Sequence, residues 1–339
     1  MTWLNYITLN SVAPVPNLHL ISDAGAGEGL MQLHPTRDTE LIACGKANTF
    51  LNGEYLPSPL LGNGSVTPAI LVHGLFSALQ KKGFKIRLHC YQLGLDNVPD
   101  FSDSNMDDVV IHSCQIGEES ALIQQVLVPE LHRQAIEKEE HLIAESGIGG
   151  TTFATLWLRR LLDESLWFSG STKDPEKLIK KSQAVDDLWN KSALMGSDVS
   201  GYINNMECSD PTQRACCALL NADLNGLNFA GGTMVFAPVI AMNGKTKSKN
   251  VSVATTRWML DSRDSKIAAN ALPDECSLTT PMVDFLQSKF DAIRMYERGY
   301  VVEGCGLGAC LVFAEQHGLS QVEIIESMDN AVAHWFTEV

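Results

Sequence analysis

Short apolar, β-rich runs alternate along the chain with segments of helical period, and glycine or small polar residues stand at the junctions. Lys85–Gln92, His141–Ala144, Leu227–Ala230 and Val251–Thr255 have the pattern of buried strands. Helical patterns follow the turns after His141–Ala144 and Leu227–Ala230. Strand, glycine turn and helix repeated in this way predict an α/β fold with a parallel sheet and ligands at the carboxyl ends of its strands.

Two further segments give predictions of a different kind. Apolar residues recur at helical spacing between Pro281 and Tyr300, which predicts one amphipathic helix packed on a core. The first 60 residues are rich in glycine, proline and asparagine, which indicates irregular structure wrapped around the rest of the chain.

Composition and charge narrow the class of protein. Of the 339 residues, 45% are apolar and 19% are charged, enough for a large core. The net charge of −15 argues against binding to nucleic acid or to an anionic membrane. No apolar run approaches the roughly 18 residues of a membrane span. A phosphorylated substrate would therefore need a local positive field, from a helix start or a well-placed lysine.

The cysteines and histidines give no sign of a metal site. The nine cysteines cannot all pair with one another, and no two have the spacing of a zinc ribbon. The nine histidines show neither the HxH nor the HExxH spacing of common metal sites. Met1–Asn10 lacks the pattern of a signal peptide. Together these features predict a cytoplasmic protein with reduced thiols and no bound metal.

The most specific segment runs from Glu145 to Thr152, with the sequence ESGIGGTT. Its three glycines permit positive φ and close approach of a ligand to the backbone. Thr151 and Thr152 open a predicted helix, whose first N–H groups are unpaired and suit a phosphate. The alternative is a tight strand–helix turn capped by threonine. The spacing is not that of a Walker A loop.

The pattern Glu-x-Gly-Ile-Gly-x-Thr-Thr at 145–152 resembles the signature loop of the nicotinate-nucleotide–dimethylbenzimidazole phosphoribosyltransferases, which make the α-riboside of the cobalamin lower ligand. Four other blocks resemble the same family in the same order, two of them its archaeal and cyanobacterial branch. Gly150 stands where the bacterial enzymes carry Asn. The four further blocks are Val66–Ala69, Phe229–Met234, Ala254–Trp258 and Val302–Ala309.

The resemblance implies a reaction and an architecture. A ring nitrogen of an aromatic base such as dimethylbenzimidazole would displace nicotinate from C1′ of nicotinate mononucleotide with inversion, and no metal or cofactor is needed. The implied fold is a doubly wound, mostly parallel sheet with a smaller helical domain built from both termini, in a homodimer. We expect residues 66–298 to form the large nucleotide-binding domain. Residues 1–65 with 299–339 would form the smaller, partly helical domain carrying the catalytic glutamate.

Two carboxylates are the candidate catalytic groups. The resemblance places the catalytic carboxylate at Glu303, where partial burial would raise its pKa and suit it to remove a proton from the incoming base. Glu145 ends a predicted strand and would orient the ribose hydroxyls or assist Glu303. The alternatives are a surface glutamate at a helix N-terminus for Glu303 and a residue that holds the glycine turn for Glu145.

A lysine on the apolar face of a predicted helix is the candidate phosphate ligand. Asp174 and Pro175 predict the start of a helix. The family places a phosphate-binding lysine after a stretch like Gly170–Thr172, and Lys181 matches that spacing. The alternative is a lysine whose charged end reaches water at the helix edge. The residues on the predicted inward face are Leu178, Lys181, Val185 and Leu188.

The remaining candidates are less specific, and the acceptor base stays open. Adenine, another purine or a phenol could replace dimethylbenzimidazole, and a non-catalytic mononucleotide sensor is a further alternative. Arg257 could meet an anion or form an ordinary salt bridge. Predicted substrate- and phosphate-binding residues are Gly147, Gly149, Gly150, Thr151, Thr152, Lys181, Gly231, Gly232 and Thr233. Weaker candidates for the base pocket are Thr67, Pro68, Gly304 and Gly306.

Overall fold

The computed structural model describes residues 2–24, 27–170, 172–192 and 200–336. These residues form a seven-stranded sheet in which every pairing is parallel, in the order β3-β2-β1-β4-β5-β6-β7. The predicted α/β fold class is thereby confirmed. The strands are β1 (Thr2–Val12), β2 (Phe84–Leu93), β3 (Asp108–Cys114), β4 (Glu140–Ile148), β5 (Asn225–Ala230), β6 (Lys249–Ala254) and β7 (Ser277–Thr279).

Helices cover both faces of the sheet, which makes it doubly wound. The helices are α1 (His34–Cys44), α2 (Pro68–Lys81), α3 (Glu119–Leu122), α4 (Val128–Glu137), α5 (Gly150–Leu161), α6 (Pro175–Ser192), α7 (Ser200–Ile203), α8 (Pro211–Leu220), α9 (Thr233–Ala241), α10 (Arg263–Asn270), α11 (Asp291–Arg294), α12 (Leu307–Gln316) and α13 (Gln321–Val332). Successive side chains of β1 enter opposite cores: Tyr6 packs with α2, α12 and α13, and Ile7 with α5, α8 and α9.

The prediction of irregular structure for the first 60 residues is wrong, because β1 is the central strand and α1 lies within them. The polar residues of β1 interrupt its apolar pattern, yet Asn5, Thr8 and Asn10 are completely buried. Asn10 Nδ2 donates to Thr39 Oγ1 at 2.7 Å and to Gln92 Oε1 at 2.8 Å. Pairing with distant partners thus permits a polar strand in the core. The proposed two-domain division stays a prediction.

The single helix predicted for Pro281–Tyr300 is also wrong. Backbone N–H groups of the segment donate to side chains instead of to a helix: Glu297, later in the same segment, accepts from Phe285 N at 2.8 Å, and Asp329 on α13 accepts from Lys289 N at 3.1 Å. The spacing of the apolar residues therefore predicts which side chains are buried, but it does not require a continuous helix. The segment holds three short helical turns, Phe285–Gln287, Asp291–Arg294 and Met295–Arg298.

The strand order creates a crevice at one edge of the sheet. The chain winds outward from β1 to β3 and then crosses to β4 on the other side, so the order reverses between β1 and β4. In parallel α/β sheets ligands bind outside the carboxyl ends of the strands at such a switch point. No helix in the described part of the chain has the length and apolar character to cross a membrane. No two of the cysteines in the described part of the chain form a disulfide.

Candidate active site

A cavity of about 500 Å³ opens at the carboxyl ends of β4, β5 and β6. This volume lies in the usual range for a small-molecule site. Most of the predicted site residues line it, but Thr152, Lys181, Gly231 and Gly306 lie outside its lining among the described residues. Predicted residues in the lining are Thr67, Pro68, Glu145, Gly147, Gly149, Gly150, Thr151, Gly232, Thr233, Glu303 and Gly304.

Glu303 lies just before α12 and is held by four donors. Its Oε2 accepts from Thr256 N at 2.7 Å and Thr255 Oγ1 at 3.1 Å. Its Oε1 accepts from Gly304 N at 3.0 Å and Gly308 N at 3.3 Å. Burial raises the pKa of Glu303, and these donors oppose the rise. Because a carboxylate offers about four acceptor positions, these contacts fix Glu303 firmly at the cavity wall.

Glu145 lies near the end of β4 and is 7% exposed. Burial raises the pKa of Glu145 well above its ordinary value, and the carboxylates of Glu303 and Asp210 raise it further. The N–H of Gly147 acts in the opposite direction. A Cβ on Gly231 would come within 2.7 Å of Glu145 Cγ, so close packing explains that glycine. The cavity wall therefore holds two neighbouring carboxyl groups in different environments, the usual basis for dividing acid and base roles.

The glycine-threonine turn begins α5 without a side-chain cap, since its N-cap is Gly149 with φ 77°. A Cβ on Gly149 would lie 2.4 Å from Leu18 Cδ2, and one on Gly150 would lie 2.2 Å from Met234 Cε. Packing alone thus accounts for these glycines. The feature that suits an anion is the start of α5 itself. The N–H groups of Gly150 and Thr151 come before the first hydrogen bond of this turn, which Thr152 N donates to Gly149 O at 3.0 Å, and Thr151 faces the cavity.

Lys181 lies behind the turn and confirms the predicted inward face of α6, being only 2% exposed. Its Nζ donates to Thr151 Oγ1 at 2.6 Å and to the carbonyl oxygen of Ser169 at 2.9 Å. No carboxylate pairs with Lys181 among the described residues. Burial lowers the pKa of this ammonium to about 7. Of the predicted Gly170–Thr172 stretch, Ser171 lies outside the described residues.

The second glycine turn precedes α9. Gly232 and Thr233 line the cavity, and a Cβ on Gly232 would lie 2.8 Å from Met259 Sδ. Arg257 does not line the cavity; its Nη2 lies 2.5 and 2.6 Å from the two carboxylate oxygens of Glu297. The salt-bridge interpretation of Arg257 therefore fits the structure.

The loop before α12 depends on glycine for steric reasons. Gly304 has φ 155°, and Gly306 has φ 62° with Ala144 and Ala230 only 2.8 Å from an added Cβ. Cys305 between them has φ 52°, and its carbonyl oxygen accepts a short hydrogen bond from Tyr6 Oη. Gly306 thus packs against the sheet instead of lining the cavity.

Gly308→Ala should destabilise the protein strongly. The added Cβ would lie 2.1 Å from Thr255 C and 2.2 Å from Thr256 N, so the backbone that donates to Glu303 would have to move. We expect a loss of about 3 kcal/mol in the free energy of unfolding. Denaturant unfolding measures it, with Gly62→Ala as the control because nothing lies within 4 Å of a Cβ there. Equal stability of the two variants would contradict the close contact.

The sequence predictions missed a polar pair in the cavity wall, His34 and Asp38 on α1. His34 Nε2 lies 3.2 Å from Asp38 Oδ2. Asp38 Oδ1 accepts from Thr67 Oγ1 at 3.0 Å, at the start of α2. The i, i+4 spacing of His34 and Asp38 puts both on one helix face. This spacing could have identified the pair if a helix had been predicted here.

Comparison with known proteins gives relatives along nearly the whole chain. No family model matches it. The chain is 25% identical over 342 residues to a UPF0284 protein of Sulfurisphaera tokodaii, covering 95% of this chain and 90% of the relative. It is 26% identical over 320 residues to a UPF0284 protein of Pyrococcus furiosus, covering 91% and 92%.

A solved structure, CobT from Thermus thermophilus, aligns with 96% of this chain and 84% of its own at 14% identity and a TM-score of 0.48. Over nearly all of its length, the chain is similar to the archaeal UPF0284 proteins and, at much lower identity, to a CobT.

Proposed function

We propose that the protein transfers the phosphoribosyl group of nicotinate mononucleotide to a ring nitrogen of an aromatic base, releasing nicotinate and forming an α-ribonucleotide for a cobalamin lower ligand. One observation carries the proposal. The five sequence blocks that resemble the phosphoribosyltransferases are spread from residue 66 to residue 309, and every one of them contributes to the lining of a single cavity. Residues distant in sequence that meet in one cavity are expected of a shared substrate site.

The phosphate would lie at the start of α5. There the positive end of the helix dipole, the unpaired N–H groups and Thr151 face the cavity. Lys181, whose Nζ donates to Thr151 Oγ1 behind this turn, would add an ammonium charge that a bound phosphate stabilises. In a chain with a net charge of −15, a phosphorylated substrate needs such a local positive field.

The carboxyl groups of Glu303 and Glu145 would face the reacting sugar. As the bond from C1′ to the nicotinate nitrogen breaks, its electron pair goes to nicotinate and positive charge develops on the ribose. A fixed carboxylate in a buried site stabilises such charge more than water does. Glu303, held by four donors, suits this role, and the predicted role of Glu303 as the general base remains part of the proposal.

The acceptor base would enter beside Thr67, Pro68 and Gly304, where the walls from α2 and from the loop before α12 approach each other. A Cβ on Gly304 would lie 3.2 Å from Pro68 Cγ, so the glycine keeps this passage open. The homodimer implied by the resemblance is also part of the proposal, and the mass of the protein in solution tests it.

Nicotinate release tests the proposed reaction. The protein is incubated with nicotinate mononucleotide and, separately, with dimethylbenzimidazole, adenine or a phenol, and nicotinate is measured by chromatography. We expect release that depends on at least one base, because attack by the base expels the nicotinate, and none in the control without a base. Tight mononucleotide binding with no release for any base would instead favour the non-catalytic sensor.

A further inference from the structure

The lining of the cavity holds more acidic than basic side chains. In the described part of the chain, five carboxyl groups line it, whereas Lys173 and Arg263 are its lysine and arginine side chains. Nicotinate mononucleotide would bring two anionic groups into this cavity, the phosphate and the carboxylate on the pyridine ring. Because carboxylates repel an anion, each group needs a positive partner of its own. The five acidic residues are Asp23, Asp38, Glu145, Asp264 and Glu303.

Lys173 is exposed at the edge of the cavity, but contacts with the protein position its ammonium group. Its Nζ donates to the carbonyl oxygen of Arg298 at 2.7 Å and lies 4.6 Å from the centre of the Tyr300 ring. An aromatic face attracts a cation at this distance. Since an ammonium group has three N–H donors and Arg298 takes one of them, the others are available to a ligand.

The segment that carries Lys173 first passes the proposed phosphate position. A Cβ on Gly170 would lie 2.6 Å from Thr151 Oγ1, at the start of α5. Three residues later, Lys173 lies against the ring of Tyr300, which precedes Glu303 by three residues and also lines the cavity. A mononucleotide with its phosphate at the start of α5 and its sugar beside Glu303 would therefore have Lys173 within reach of its pyridine ring.

Lys173 and the acceptor base would lie at different walls of the cavity. The base would enter where Pro68 approaches Gly304. Displacement with inversion requires the nicotinate to leave from the face of C1′ opposite to the attacking base. The wall formed by Lys173 and residues 299–302 is separate from the α2 side, so its ammonium is available to the leaving group.

Resting on the proposed function, we infer that Lys173 binds the carboxylate of the nicotinate ring and makes the protein selective for nicotinate mononucleotide over nicotinamide mononucleotide. As the nitrogen of the base forms its bond to C1′, the bond from C1′ to the pyridine nitrogen breaks and leaves its electron pair on that nitrogen. The ring thereby loses its positive charge, and the leaving group changes from a zwitterion to an anion, while Lys173 keeps its proton. An ammonium group beside the carboxylate thus stabilises the transition state more than the bound substrate. Nicotinamide leaves as a neutral molecule and lacks this stabilisation.

Binding of the two mononucleotides tests the contact without turnover, because they differ only in a carboxylate or a carboxamide on the ring. In calorimetry without a base, wild type should bind nicotinate mononucleotide about tenfold more tightly, as one hydrogen bond between charged groups predicts. Lys173→Met should bind the two equally, with a loss of affinity for nicotinate mononucleotide alone. Lys173→Arg should keep the preference, and so should Lys180→Met, which changes an exposed lysine outside the cavity lining.

Three binding results would overturn the inference. Wild type could bind both mononucleotides equally, or Lys173→Met could keep the preference of wild type. In the second case, loss of the preference in Arg263→Met would assign the carboxylate to Arg263. Equal weakening of both mononucleotides in Lys173→Met would instead assign Lys173 to the phosphate, which the two ligands share.

Turnover tests the effect on the leaving group. With a base that supports release, Lys173→Met should lower kcat for nicotinate mononucleotide about tenfold and leave kcat for nicotinamide mononucleotide within about twofold of wild type. An equal fall with both substrates, or no fall with either, would contradict a role of Lys173 at the nicotinate carboxylate.

The two proposals fail in different ways. If wild type releases no nicotinate with any base yet distinguishes the two mononucleotides through Lys173, the proposed reaction is wrong and the carboxylate contact stands. If wild type releases nicotinate normally and Lys173→Met has the same preference and the same kcat, the reaction stands and Lys173 does not bind the carboxylate.

Discussion

Glu303→Gln should lower kcat for nicotinate release by a factor of about 100 to 1000 while the dissociation constant for nicotinate mononucleotide stays near that of wild type. The substitution removes a negative charge from the place where positive charge develops on the sugar. It also turns one oxygen into an NH₂ group that faces backbone N–H donors, either Thr256 N or Gly304 N. Steady-state kinetics and calorimetric binding of the mononucleotide separate the two effects.

A matched control is available on α12, the helix that follows Glu303. Glu315 also accepts backbone N–H groups, those of Met282 and Val283 at 2.8 Å, but it lies outside the cavity lining. Glu315→Gln should therefore share the structural cost and keep normal kcat. Thermal unfolding of both variants shows whether they fold. Equal kcat in Glu303→Gln and wild type would remove Glu303 from the mechanism, and a parallel loss of mononucleotide binding would make it a structural residue.

Strands followed by glycine turns could be predicted from sequence because their signals are local. The apolar runs that became β2, β4, β5 and β6 each fit in a window of a few residues, and the structure confirms them. β1 could not be predicted in this way. Its apolar pattern is interrupted by Asn5, Thr8 and Asn10, and the side chains that accept from or donate to Asn10 and Asn5 lie far along the chain, Thr39 and Gln92 for the first and Glu139 for the second.

In the candidate site, too, local features could be predicted from sequence and contacts between distant residues could not. The position of Lys181 followed from helical period, but its contact with Thr151 depends on how α6 packs against α5. His34 could not be identified because the apolar residues around α1 show no clear helical period. Without a predicted helix, nothing indicated that His34 and Asp38 lie on the same helix face. The resemblance pointed to Glu303, and the end of a predicted strand pointed to Glu145; that both line one cavity is a property of the fold.

Lys181→Met should raise stability and weaken substrate binding at the same time. The pKa of Lys181 is lowered to about 7 by burial, whereas a free lysine titrates near 10.4. Below pH 7 folding therefore holds a buried ammonium without a carboxylate partner. Methionine removes this cost and loses two hydrogen bonds, so we expect a net gain of about 2 kcal/mol at pH 6, or roughly 5 °C in Tm.

The pH dependence of this gain has a definite sign. Between pH 7 and about 10.4 the unfolded chain binds a proton at Lys181 that the folded chain does not, so wild-type stability rises with pH in this window. The advantage of Lys181→Met should accordingly shrink from pH 6 to pH 9. Lys180→Met changes the exposed neighbour on the same helix and should leave Tm within about 1 °C of wild type at both pH values.

Binding of nicotinate mononucleotide tests whether the buried ammonium of Lys181 interacts with the phosphate of the substrate. If phosphate at the start of α5 stabilises the ammonium of Lys181, wild type should take up about one proton on binding at pH 8, where the phosphate is already a dianion. Calorimetry in buffers of different ionisation enthalpy counts that proton. Lys181→Met should bind about 100-fold more weakly without proton uptake, and Lys180→Met should match wild type. An unchanged dissociation constant in Lys181→Met would show that the phosphate lies elsewhere, and the lowered pKa would then reflect burial alone.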